Sequence, residues 1–265
     1  MMAVILLLFL ISSCPLLAMQ SARSGTTQHL QDDELPLIER AKRYIFSYLE
    51  DAPDFTVRQT IRRYELGPAG KWVQRDTIEL EVTYESNRGE KYKIISLNGR
   101  PAVGATTLDS LGGASSTGEF VTAALAIFAP RSRALFRKGP RDQINGVATV
   151  IYDFKIKREH SANLITETRS GRSTVAGYSG SLWIDEDGHI LRLEQAVDDV
   201  PADFPLNVAE LAIDYDWVQI ADKRYLLPKR AEVIIGSDKD RHYSRNVVHF
   251  DSYRKFSSDI KIDIE

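Results

Sequence analysis

Cysteine is nearly missing from this chain: Cys14 is the only one in 265 residues. It lies in the apolar N-terminal block, so the folded part has no disulfide framework, catalytic thiol or Cys-ligated zinc site. An excess of one charge is also missing. Lys and Arg number 34 against 37 Asp and Glu, a net charge of −3, which leaves no electrostatic footprint for nucleic acid. Histidine is scarce. None of His29, His160, His189, His242 and His249 stands at a metal-ligand spacing such as His-x-x-x-His, so they read as surface or hairpin residues. The Gly-rich run at 112–118 contains neither Gly-x-Gly-x-x-Gly nor Gly-Lys-Ser/Thr, which removes a phosphate cradle. Gly177-Tyr178-Ser179-Gly180 is one residue short of a nucleophile elbow. The reading therefore assigns no catalytic residue, no metal and no cofactor.

Long hydrophobic runs are absent after the first 18 residues. The one run present, Ala3 to Ile11, is shorter than the about 20 apolar residues a membrane-spanning helix needs. It matches the core of a secretory signal. Residues 1–18 are thus expected to be a signal peptide, with cleavage after Ala18 or Ala22 and export to the periplasm or outer envelope. Ile11-Ser12-Ser13-Cys14 also fits the small-residue pattern before a lipidated cysteine. Cleavage at 13/14 would leave Cys14 as a lipid anchor, the only membrane attachment this reading allows. The apolar Pro15-Leu16-Leu17-Ala18 that follows speaks for ordinary cleavage.

Residues 19–32 are mostly polar and read as a flexible tether to a single β-rich domain over 33–265. A helix opens the domain. Asp32 and Asp33 suit its N-terminus, Leu35, Ile38, Ala41, Ile45, Tyr48 and Leu49 recur at helical spacing, and Pro53 stops it. The period then switches to two: Trp72, Ile78, Leu80, Val82 and Tyr84 all fall on even positions of one long strand. Asn87-Arg88-Gly89 turns it into a partner strand over 91–97. The Gly/Ser run at 112–118 reads as a flexible loop leading to a second, largely buried helix, Glu119 to Phe128, capped by Thr117 and ended by Pro130. The remainder reads as strands over 135–138, 147–158, 164–168, 180–184, 189–195, 211–220, 224–235 and 243–256, with Asp185-Glu186-Asp187-Gly188 as a hairpin turn.

Long strands joined by short turns make an antiparallel meander. The expected class is α+β, mostly antiparallel β: a curved, open-barrel sheet whose concave side is covered by two or more helices. Asp214 and Asp216 share a face around Tyr215, so a carboxylate-dependent hydrolase is one alternative. The aromatics carry the main signal. Trp72, Trp183 and Trp217 lie in strands. Leu191 and Leu193 are expected on the face of Trp183, and Ile213 and Tyr215 on that of Trp217. Together with Ile78, Leu80, Val82, Tyr84, Phe120 and Leu125, they form either a plain core or the lining of a pocket for a lipid, acyl chain or other apolar ligand.

The segment from Gly177 through Trp183-Ile184-Asp185-Glu186-Asp187-Gly188 to Leu191-Arg192-Leu193-Glu194 carries a resemblance. So does Ile213-Asp214-Tyr215-Asp216-Trp217 followed by Arg224-Tyr225-Leu226-Leu227-Pro228. They resemble the C-terminal half of exported proteins with the periplasmic lipoprotein-carrier fold (LolA/LolB-like). They also resemble exported proteins of acidobacterial type, to which Gly118-Glu119-Phe120 and residues 246–256 add likeness. The resemblance implies an unclosed barrel whose helices plug the open side and whose apolar concavity holds acyl chains. The function it implies is a non-enzymatic envelope protein binding an apolar ligand. An envelope structural or sensor module that engages a protein partner is the other alternative.

Overall fold

Alternation of apolar and polar residues organises almost the whole chain. The computed structural model describes residues 4–9, 36–86, 88–102, 108, 111, 113–116, 119–120, 122–167 and 170–256. In chain order the elements are β1 (Val4–Phe9), α1 (Leu37–Asp51), β2 (Phe55–Leu66), β3 (Trp72–Glu85), β4 (Gly89–Leu97), β5 (Arg100–Pro101) and β6 (Gly113–Ser116). There follow α2 (Thr122–Phe128), β7 (Leu135–Ile144), β8 (Val147–Ile156), β9 (Asn163–Glu167), β10 (Arg172–Val175) and β11 (Gly177–Ile184). The chain closes with β12 (Ile190–Asp199), β13 (Val208–Ile220), β14 (Lys223–Ser237) and β15 (His242–Lys255). Cys14, the cleavage points, the tether and Thr117 lie outside the described residues.

Eleven strands form one open sheet in the order β5-β4-β3-β2-β15-β14-β13-β12-β11-β8-β7. Every neighbouring pair is antiparallel. Two meanders, β2 to β5 and β11 to β15, meet where β15 pairs with β2, so the first and last strands of the domain weld its halves together. The β7–β8 hairpin extends the far edge. A smaller sheet has the order β10-β9-β1-β6. The Gly/Ser stretch expected as a loop therefore contributes a strand: Gly113–Ser116 runs parallel to Val4–Phe9.

Strand β7 runs on to Ile144 where the sequence reading stopped at residue 138. Gly139 and Pro140 sit in a register shift between Lys138 and Arg141. A proline, which lacks the ladder donor, is tolerated because β7 is an edge. Strand β2 escaped the reading because Gln59 and Arg63 interrupt its apolar series Phe55, Val57 and Ile61, yet all five are buried.

A second bulge moves a tryptophan. Arg63 faces Asp76 across the β2–β3 ladder, but Tyr64 faces Gln74. One extra residue in β3 turns Trp72 to the face opposite Ile78, Leu80, Val82 and Tyr84. There the Arg245 guanidinium lies 5.8 Å from its ring.

Helix α1 starts at Leu37, after Pro36, and ends where the Ala52 N–H reaches the Tyr48 carbonyl at 2.7 Å. Its buried stripe, Ala41, Ile45 and Tyr48, follows the helical period and docks on the sheet. Gly188, at φ +95°, closes the β11–β12 turn directly beneath it. A Cβ there would stand 2.8 Å from the Arg40 side chain and 2.9 Å from the backbone of Arg40 and Ala41.

Arg63 and Asp76 form the buried ion pair of the inner face. Nε and Nη2 donate to the two carboxylate oxygens at 2.6 and 2.5 Å, with the side chains 6% and 10% exposed. Removing Asp76 takes the bidentate acceptor away from a buried guanidinium. Asp76→Ala is expected to cost about 3–5 kcal/mol in urea unfolding, and the paired change Arg63→Met with Asp76→Leu to recover most of it.

Candidate functional site

The sheet has one face under the helices and one face open to solvent, and the expected lining residues divide between them. Ile78, Leu80, Val82, Tyr84, Phe120, Leu191, Leu193, Ile213 and Tyr215 are buried in one core cluster, against which half-buried Leu125 packs. Trp217 shares this inner face with Ile213 and Tyr215 but stands at its rim, 36% exposed. Trp183 does not share the face of Leu191 and Leu193. It pairs with Arg192 across the β11–β12 ladder and points outward, where its Nε1–H donates to Asp142 at 2.8 Å.

The helix-side interior is densely filled. Phe120 lies 5.6 Å from Phe55 and 5.5 Å from Phe250, and Phe55 stacks on Tyr84 at 5.0 Å. The sequence reading missed Phe55, Phe250 and Tyr253. Phe55 belongs to the strand it did not see, and Phe250 and Tyr253 sit among polar neighbours. The free space bounded by Tyr44, Tyr48, Phe120, Ala124, Tyr215 and Leu226 is about 20 Å³, enough for one water. Burial pushes the Tyr215 phenol pKa upward, with a smaller contribution from Glu119, and keeps the phenol protonated. Its hydroxyl donates to the Glu119 carbonyl at 3.4 Å. Two buried amide oxygens on this side, Gln59 Oε1 and Gln195 Oε1, have no hydrogen-bond partner among the described residues.

The open volume lies on the other face. A trough of about 870 Å³ crosses six strands, from Leu135 on β7 to Ile234 on β14. Asp214 and Asp216 lie on this outward face, and both are engaged. Arg192 and Arg230 hold Asp214, and Lys229 binds Asp216 at 2.9 Å. The Lys229 hydrogen bond lowers the Asp216 pKa, opposite to what a general acid needs.

No protein-family model matches the chain, and no curated protein sequence does. Among solved structures the chain is similar to a DUF1329 family protein from Desulfovibrio piger, at 9% identity and TM-score 0.35, over 87% of this chain and 96% of that one. It is also similar to a LolA superfamily protein from Nitrosomonas europaea, at 12% identity and TM-score 0.32, over 86% and 96%. A third is the lipoprotein LppX of Mycobacterium tuberculosis, at 6% identity and TM-score 0.26, over 81% and 93%. Among the described residues no helix is long and apolar enough to cross a membrane.

One polar cluster was not anticipated. Asp185, Asp187 and His189 bring their ligand-type atoms within 4.8 Å of one another, and their contacts explain them as the brace of a turn. Asp185 Oδ1 accepts the backbone N–H groups of Asp187 and His189 at 3.1 and 2.8 Å, and Oδ2 meets His189 Nδ1 at 2.9 Å. The His189 ring is wedged edge-on between Tyr44, 4.6 Å away, and Trp217, 4.9 Å away. Burial alone would raise the Asp185 pKa, but the bonds from His189 and Asp187 outweigh it and leave the carboxyl below its ordinary 3.8. A depressed pKa stabilises the fold fully above the unfolded value, and this contribution vanishes as pH falls through the folded one. Asp185→Asn is therefore expected to be less stable than wild type by about 1–2 kcal/mol at neutral pH. That gap should narrow as pH falls below the ordinary carboxylate value of 3.8, as read from urea midpoints at neutral and acid pH.

Proposed function

We propose that the chain is exported to the periplasm or outer envelope. There the sheet, curved as a half-barrel around its helices, holds an apolar ligand, a lipid or acyl chain, beneath α2. The observation that carries this reading is an apolar roof over an apolar floor. Helix α2 has no charged residue and buries Ala123, Ala124, Ile127 and Phe128 in the same apolar core as Phe55, Tyr84, Phe120 and Phe250, with Phe128 stacked on Phe136 at 5.5 Å. In the closed form described here the room beneath is one water wide, so a ligand enters by displacing α2, and the roof exchanges apolar protein contacts for apolar ligand contacts.

Two features support the reading further. Val4–Phe9, an apolar stretch, lies as a strand between β6 and β9 next to α2. Removal of the leader would vacate that place. The unpaired oxygens of Gln59 and Gln195 give a ligand with a donor head group something to bind, since a buried acceptor without a donor costs about 1–3 kcal/mol. A protein of this kind needs no catalytic residue. An envelope protein from which it loads or to which it delivers is its natural partner.

Native mass spectrometry of protein purified from the envelope fraction should show a bound lipid, and the delipidated protein should take up a fluorescent fatty acid. Ala124→Trp, which fills the space under α2, should reduce uptake at least about tenfold while leaving the β-sheet circular dichroism unchanged. No bound lipid and no uptake in the wild-type protein would rule the reading out.

A further inference from the structure

We infer that the solvent face of the sheet carries a second binding site, a trough built for a neutral polyhydroxylated ligand such as an oligosaccharide. The inference is independent of the ligand proposed under α2, because the two sites lie on opposite faces of the same strands. At about 870 Å³ the trough is within the size range of small-molecule sites.

Cross-strand register explains its shape. One row of outward residues runs Leu135, Lys155, Ser179, Ala196, Glu210 and Ile234; the next runs Arg137, Asp153, Ser181, Glu194, Ala212 and Glu232. Small side chains, Ser179 and Ala196 in the first row and Ser181 and Ala212 on either side of Glu194 in the second, leave space among the long charged chains. The sheet backbone is the floor and the charged chains are the walls. The Gly180 backbone presses against β12, where a Cβ would come within 1.9 Å of the Glu194 carbonyl, so the two strands approach closely at the centre of the floor.

The charges of the walls select the ligand. Four cations, Arg137, Lys155, Arg192 and Arg230, stand with four acids, Asp153, Glu194, Glu210 and Glu232. Three of these acids are already matched: Arg137 to Asp153 at 2.7 Å, Arg192 to Glu194 at 2.5 Å and Arg230 to Glu232 at 2.6 Å. Lys155 reaches Asp198 at 3.0 Å. A charged ligand would have to separate these pairs and would meet as many like charges as opposite ones. A hydroxyl, both donor and acceptor, can give to a carboxylate and take from a guanidinium without disturbing the balance. Leu135, 66% exposed, and Ile234 close the ends of the first row and offer apolar contact to the C–H faces of a sugar ring.

The test is an amide chemical-shift titration of the full chain with cellotetraose, maltotetraose and chitotetraose, with citrate and a neutral tetrapeptide as comparison probes. At least one sugar should shift the amides of Ser179 to Ser181, Glu194 to Ala196 and Ala212. Ala212→Trp and Ser179→Tyr, each filling one row from the solvent side, should each weaken that binding at least tenfold while leaving fatty-acid uptake unchanged. Silence from all three sugars at millimolar concentration, or stronger shifts of the same amides with citrate or the peptide, would overturn the inference. So would unaltered sugar binding in whichever of the two variants folds.

Discussion

Everything in this fold answers to one constraint: one face of an eleven-stranded open sheet has to be taken out of water, and among the described residues the α-helices that can cover it have 15 and 7 residues. A sheet cannot leave a continuous apolar face wet without becoming an association surface. The helices cover part of it. Bulk supplied from the sheet does the rest: Phe55, Tyr84 and Phe250 gather round Phe120, just ahead of the short helix, and Tyr253 leans on Phe55. Aromatic pairs at these separations add packing energy beyond the area they bury, roughly 0.5–1.5 kcal/mol each. The same constraint explains the buried Arg63–Asp76 pair and the amides of Gln59 and Gln195. They occupy inward positions of strands whose period gives them no other direction.

How far the sequence was legible follows from the same period. Alternation over residues 78–84, the Asp185 to Gly188 turn and the Ile38 to Tyr48 helical stripe are local signals, and the elements they announce are present. Faces were harder to read, because one bulge inverts everything beyond it. Trp72 shares an even number with Ile78, yet the extra residue opposite the Arg63/Tyr64 step sends it outward. Trp183 and Leu193 seemed to share a face until register paired Trp183 with Arg192. Register is a property of two strands, and a single strand's pattern does not contain it. Strand β2 and the Pro140 half of β7 were hidden for another reason. Buried polar residues and an edge proline are permitted by tertiary context that composition does not reveal.

Both faces of strands β11 to β13 are chemically specialised. Inward they present Leu182, Leu191, Leu193, Leu211 and Ile213; outward they present serine, alanine and paired charges. The outward pairs are individually weak, since exposed ion pairs contribute about 0–1 kcal/mol each. Their arrangement matters more for what the face admits than for stability. A surface whose cations and acids are equal in number and mostly joined repels no neutral molecule and attracts no particular ion. The small residues between them leave a vacancy of about 870 Å³ beside the sheet.

The way into the interior also follows from which contacts are cheapest to break. Parting the two meanders would cut the β15–β2 ladder, ten residue pairs from Ser244 opposite Glu65 to Lys255 opposite Phe55. It would expose backbone groups that must then find water. Flexing the sheet elsewhere meets the same obstacle at every neighbouring pair. Lifting α2 cuts no ladder of the large sheet. Its cost is the exposure of a few side chains, of which Ile127 and Phe128 are the largest, at roughly 1.5–3 kcal/mol each. On the proposed function, an apolar ligand beneath the helix would return that cost by covering the same surface, and the joint would open with every ladder of the large sheet intact.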